Sequence, residues 1–211
     1  MTSYQRMRRA SLARLARASL PAHPHLPLLD DRVQRTPDAV ARRLVALYCV
    51  TGLANGASGP AMRAWVDEER LDAGFEAAEL ELLAHEALTE AQLSEASWCQ
   101  ESLYYLAWAL RLVDEMTWPT IECDLEGLFP RIPPEVAPAR FFAKARLRRE
   151  QDLLAEADFY YCLDASLRHD ELWGGQAVEL RYPGVQIVMA RRRAADWLLG
   201  DAAWSAVELD T

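Results

Sequence analysis

With 211 residues, of which 51% are hydrophobic and 26% charged, the chain is long enough to bury one generous core and lies far from disordered or fibrous compositions. A formal net charge of −9 argues against nucleic acid as a partner, because a phosphate backbone is met by clustered positive charge. The arginine excess, 22 Arg against the single Lys144, reads as genome composition rather than function. Nowhere does the sequence approach the roughly 18 to 20 uninterrupted apolar residues of a membrane span, and no apolar signal region opens it. A soluble, cytoplasmic protein with no membrane partner is expected. Cys49, Cys99, Cys123 and Cys162 are scattered without a Cys-x-x-Cys pair and are expected to be reduced.

The first twenty residues carry Arg6, Arg8, Arg9, Arg14 and Arg17 with no acid. Leu12, Leu15 and Leu20 make this an amphipathic helix in preference to a transit peptide. Pro21 to Pro27 breaks it into an extended connector. Thr36-Pro37-Asp38 then predicts a helix start, and the apolar residues Val40, Leu44, Leu47 and Tyr48 carry that helix to about Leu53. Asn55-Gly56-Ala57-Ser58-Gly59-Pro60 ends it as turn punctuation, since a phosphate cradle would need a preceding strand and a following Lys.

Helical patterns resume over Met62–Glu69, Phe75–Leu88 and Thr89 to about Asp114. From Asp67 to Glu101 there are eleven carboxylates against one base, Arg70. This stretch is either a solvated helical face or a docking surface for a basic partner, with Asp67, Glu68, Glu76, Glu79 and Glu86 as candidate contact residues. Trp118 to Pro138 is Pro-rich and excludes helix for most of its length. A long helical pattern from Ala139 to about Asp170, broken at most once, carries the basic residues Arg140, Lys144, Arg146, Arg148 and Arg149, which are placed to meet the acidic stretch. Gly174-Gly175 ends it, Val178 to Tyr182 is compatible with one short strand, and Gln186 to Leu199 forms a last helix. The expectation is a mainly all-α fold, one compact multi-helix domain over residues 1–211 with a long Pro-rich loop and at most one short strand.

Two helices share an unusual device. Trp98, Glu101, Tyr105, Trp108 and Leu112 recur at spacings that line them along one helix face, so Glu101 sits in an apolar seam. Val188, Arg191, Ala195 and Leu198 repeat the pattern, with Trp197 on a neighbouring stripe. Burying either ion alone costs several kcal/mol. Each therefore needs a partner, and Glu101 and Arg191 are expected to approach each other. The pair either fixes helix docking or floors an aromatic pocket for a small polar ligand.

Catalytic patterns fail on inspection. His85-Glu86 begins a zincin-like string, but Thr89 stands where the second histidine ligand belongs. His23-Pro24-His25 lacks a third ligand, and His169 suits a helix C-terminus. Ser58 lies outside any nucleophile elbow, and no cysteine has a motif-spaced histidine. No catalytic residue, metal site or cofactor is assigned.

The segment Ser97-Trp98-Cys99-Gln100-Glu101-Ser102 followed by Ala107-Trp108-Ala109-Leu110 resembles a bacterial family catalogued as domain of unknown function 4272. Similar likeness is carried by Arg191-Arg192-Arg193-Ala194-Ala195-Asp196-Trp197-Leu198, by Trp204 with Asp210-Thr211, and by Leu26-Pro27 with Ala41-Arg42-Arg43-Leu44. Tyr160, Tyr161 and Arg168 also fit. Ala190 stands where the family's Glu is expected, Asp196 where its Asn is expected, and Asp164-Ala165 where its His-Trp is expected. The resemblance implies a bacterial, cytoplasmic, helical protein. An acidic cytosolic protein is also the physical kind suited to an immunity role, neutralising a basic toxin by charge complementarity. Two expectations follow: a non-catalytic interaction protein using the acidic stretch, or a small-ligand-binding protein or enzyme with a Trp-lined Glu/Arg pocket.

Overall fold

The computed structural model describes residues 2–23, 25–29, 34–172 and 183–209, with the side chains of 169–172 excepted. Among the described residues there are eight α-helices and no strand: α1 (Ser3–Arg17), α2 (Pro37–Ala54), α3 (Gly59–Glu69), α4 (Ala77–Ala84), α5 (Glu90–Ala109), α6 (Pro138–Lys144), α7 (Glu150–Leu172) and α8 (Val185–Leu198). The strand expected over Val178 to Tyr182 lies outside the described residues, as does the Gly174-Gly175 helix stop. No described helix is long and apolar enough to cross a membrane.

Helix starts follow local chemistry. Thr2 and Gln5 close a reciprocal capping box before α1, and Thr89 and Gln92 do the same before α5. The Thr36 hydroxyl accepts from the Ala39 N–H, with Pro37 in the first turn of α2. Between α2 and α3, Gly56 takes a positive φ of 81°. At Gly59 a Cβ would lie 2.7 Å from the Leu83 carbonyl oxygen, so the start of α3 can approach the end of α4 only without a side chain. The glycines in this turn thus serve backbone geometry and close packing.

The chain forms two compact units, 1–34 with 117–122 and 148–211, and 35–116 with 123–147. In the first, α7 packs against both α1 and α8. The 117–122 segment is tied to the start of α8 by the Gly184 N–H donating to Pro119 O at 2.7 Å. The Trp118 and Phe159 rings lie 5.8 Å apart. In the second, α2 and α5 form the central pair, α3 packs on α4, and α6 lies against α2. Eleven of the eighteen residues of α2 are buried, including Val40, Leu44, Leu47 and Val50. A helix apolar around so much of its circumference belongs in a core.

Several boundaries differ from the sequence expectation, α3 among them, which starts at Gly59 rather than Met62. The helix predicted over Phe75–Leu88 contracts to α4, with a short 3-10 turn at Asp72–Gly74 before it. The long pattern from Ala139, allowed one break, breaks once, at Ala145, and restarts at Glu150. The pattern from Thr89 ends at Ala109 rather than near Asp114. There Arg111 takes a left-handed φ of 62°, its N–H donates to Trp108 O, and the Leu112 N–H reaches back to Ala107 O at 2.8 Å. This is a Schellman-type stop with Arg where Gly is usual.

Candidate functional site

The aromatic seam on α5 is deeper and shorter than its spacing suggests. Every residue from Glu101 to Ala109 is buried, so the C-terminal half of the helix is enclosed on all sides rather than along one stripe. Leu112 lies beyond the helix end and does not extend the seam. Trp98 is half-buried, while Tyr105 and Trp108 are buried with rings 5.5 Å apart. Glu101 is fully buried, and its Oε1 accepts the Cys123 N–H at 2.6 Å. The carboxylate therefore ties the Pro-rich loop to α5 through a charge-assisted hydrogen bond.

Arg191 on α8 is also fully buried. Its Nη1 donates to Thr117 O at 2.7 Å and to the Tyr160 hydroxyl at 2.9 Å, and its Nη2 donates to Thr117 Oγ1 at 3.4 Å. Burial pushes the Tyr160 hydroxyl pKa up, and Arg191 only partly offsets this, so the phenol stays protonated. Trp197 on the same helix meets the Trp204 ring edge-on at 5.7 Å. Glu101 belongs to the second unit and Arg191 to the first, and each ion is met by polar groups of its own unit.

The first unit also holds a buried ionic cluster. Arg8 on α1 forms an ion pair with Asp158 on α7 at 2.8 Å and also donates to the Leu26 and Pro27 carbonyls. The Ser11 hydroxyl donates to Asp158 Oδ2 at 2.7 Å, and the Cys162 thiol lies 3.8 Å from the same oxygen. Burial alone works against the Arg8 cation, but its hydrogen bonds and charge attraction to Asp158 hold its pKa above the ordinary value. Asp164, where the likeness led us to expect the family's His, is buried and ion-paired with Arg192 and with Arg168. Arg192 is further bonded to Asp196, and Tyr161 lies within 5.0 Å of the Arg192 guanidinium and 5.7 Å of that of Arg8. The signal was present as Arg8, Ser11 and Leu15 at one-face spacing on α1, and as Asp158 and Asp164 inside the apolar run Leu153–Leu167. Apolar periodicity overlooks both because it counts only hydrophobic positions.

These charges neutralise one another, and the nearby thiol is held inert. Burial pushes Cys162 up to about 12, with Asp158 adding to the effect, and burial does the same to Cys49 in the second unit. A thiol protonated across the physiological range is a poor nucleophile. All four cysteines carry thiols. Among the described residues no group of three or more His, Cys, Asp or Glu is placed to hold a metal ion.

In the second unit the acidic stretch is mostly on the surface. Asp67, Glu68, Glu69, Asp72, Glu81, Glu86, Glu90 and Glu95 are all exposed. Asp67 pairs with Arg63 one turn away at 2.9 Å. Two of the expected contact residues are used differently. Glu79 forms a bidentate pair with the buried Arg43, at 2.6 and 2.5 Å, and its carboxylate also accepts the Glu76 N–H. Glu76 is half-buried as the N-cap of α4. Both are committed to holding α4 in place.

The expected basic patch also divides. Arg146 donates to the Ala143 and Ala145 carbonyls at the end of α6, and Arg149 pairs with Asp152 in the first turn of α7. Arg140 and Lys144 instead face a cleft of about 390 Å³ in the second unit, between the end of α5, the Pro-rich loop and α6. Arg131 joins them from the short 3-10 turn Phe129–Arg131, its guanidinium donating to the Leu112 carbonyl. Leu110, Leu112, Val136 and Phe141 supply apolar wall, and Glu135 the one acid. Three chain segments build this cleft, so no local motif announces it.

No curated protein and no solved structure matches the chain. A family model described as Domain of unknown function (DUF4272) matches residues 6–207, nearly the whole length. The chain is therefore a member of the DUF4272 family.

Proposed function

We propose that the chain is a non-catalytic interaction protein that presents the acidic surface of α3, α4 and α5 to a basic protein partner. The observation that carries this reading is the exposure of Asp67, Glu68, Glu69, Asp72, Glu81, Glu86, Glu90 and Glu95 within one continuous stretch of chain. Such a concentration of one sign raises the local potential and accelerates encounter with the opposite sign. Within the stretch, Arg70 and no other base stands among them in the sequence. A cytoplasmic immunity protein that neutralises a basic toxin is one form of this function.

The test is capture of partners from the native host, followed by association kinetics of the purified pair. The partner is expected to be basic, and its association rate to fall by roughly tenfold or more between low and high ionic strength. Replacement of Glu81, Glu86 and Glu90 by Lys is expected to slow association at low salt. Association indifferent both to salt and to these replacements would refute the proposal.

A further inference from the structure

We infer that the cleft between the end of α5, the Pro-rich loop and α6 is a binding site for a small amphipathic anion: a carboxylate or phosphate head on an apolar body. This goes beyond the acidic-surface reading and stands without it, because the two use different residues.

The charge pattern comes first. Arg140 and Lys144 are one helical turn apart on α6, so their side chains emerge on the same face, and like charges at that spacing repel. Both are exposed, and among the described residues neither forms an ion pair. Lys144 is well placed in the last turn of α6, but its pairing with Arg140 brings the helix no further stabilisation. An anion seated between the two cations removes the repulsion and gains two charge-assisted hydrogen bonds.

Arg131 supplies the third cation, and it is held in place. Its donation to the Leu112 carbonyl holds the guanidinium on the cleft lining and uses one of its N–H groups, leaving the rest of the planar fork for a ligand oxygen. With Glu135 opposing the three cations, the lining carries a net charge of +2 in a chain whose total is −9. Local and global charge thus have opposite signs here.

The walls define the rest of the ligand. Phe141, Leu110, Leu112 and Val136 offer apolar and aromatic surface next to the cations, and 390 Å³ falls within the usual range for small-molecule sites. An inorganic ion would leave that surface wet. A ligand with an aromatic or short aliphatic body uses both the charge and the wall.

The experiment is titration calorimetry of the full chain with inorganic phosphate, phenyl phosphate, phenylacetate and the neutral benzyl alcohol. Phenyl phosphate and phenylacetate are expected to bind at least roughly tenfold more tightly than benzyl alcohol, and phenyl phosphate more tightly than inorganic phosphate. The exposed pair allows variants that keep the fold: Arg140→Gln with Lys144→Gln is expected to weaken both organic anions at least roughly tenfold at unchanged melting temperature. Whichever of the two anions binds more tightly identifies the head group. Equal binding of the neutral probe, no binding of either organic anion, or anion affinity unchanged in the double variant would overturn the assignment.

Discussion

Most of the buried charges among the described residues belong to the first unit; the second buries only Arg43, paired with Glu79, and Glu101. In the first, Arg8, Asp158, Asp164, Arg191 and Arg192 are buried, and each meets an opposite charge or hydrogen-bonding group at close range. In the second, most carboxylates of α3 to α5 lie on the surface, and the cleft cations Arg140 and Lys144 are also exposed. Buried ions are expensive to desolvate and are tolerated only when paired, so those of the first unit specify how α1, α7 and α8 dock. Exposed ions contribute little to folding. Those of the second unit are therefore available for binding.

The largest effect should come from breaking a buried pair. Asp158→Ala leaves the Arg8 guanidinium and the Ser11 hydroxyl without their shared acceptor and is expected to cost about 3–5 kcal/mol in denaturant unfolding. A loss below about 1 kcal/mol would place this pair with the surface ions. Next comes Glu79→Ala, which removes the partner of Arg43 and the capping carboxylate of α4, at an expected cost of about 2–3 kcal/mol. That result would mark Glu79, with Glu76 and Glu101, as inward residues in a stretch whose other carboxylates are exposed.

A pH titration sharpens the comparison from the side of the thiols. Cys49 and Cys162 have pKa values raised from an ordinary 9 to about 12, so the folded chain retains protons there that the unfolded chain loses. The stabilisation is complete below pH 9 and is lost as pH rises toward 12, with a slope of at most about 1.4 kcal/mol per pH unit for each thiol. Stability measured across this window is expected to fall less steeply in Cys162→Ala than in the wild type. The smallest effect belongs to the surface. Glu81→Lys, Glu86→Lys and Glu90→Lys are each expected to shift stability by no more than about 0.5 kcal/mol.

Helix starts were the most legible part of the fold. Thr36-Pro37 is a local device whose hydrogen bond closes within one turn, and α2 begins where it predicts; α5 likewise begins after Thr89, where its pattern starts. The end of α5 was hidden because Arg111 occupies a left-handed position that Gly usually marks. Glu101 and Arg191 were recognisable as ions in apolar surroundings, whereas their partners at Cys123, Thr117 and Tyr160 are set by tertiary packing. The Arg8 to Asp158 pair spans 150 positions, and the cleft draws on α5, the Pro-rich loop and α6. No window of sequence contains either.

The most direct test sets one variant from each unit side by side, Asp158→Asn and the Glu81, Glu86, Glu90 triple Lys replacement, measuring unfolding free energy and association rate with the proposed basic partner on both. Asp158→Asn is expected to lose stability while its folded fraction associates at the wild-type rate. The triple variant is expected to keep its stability within about 1.5 kcal/mol and to associate at least roughly tenfold more slowly at low salt. A triple variant that associates at the wild-type rate would contradict the proposed function.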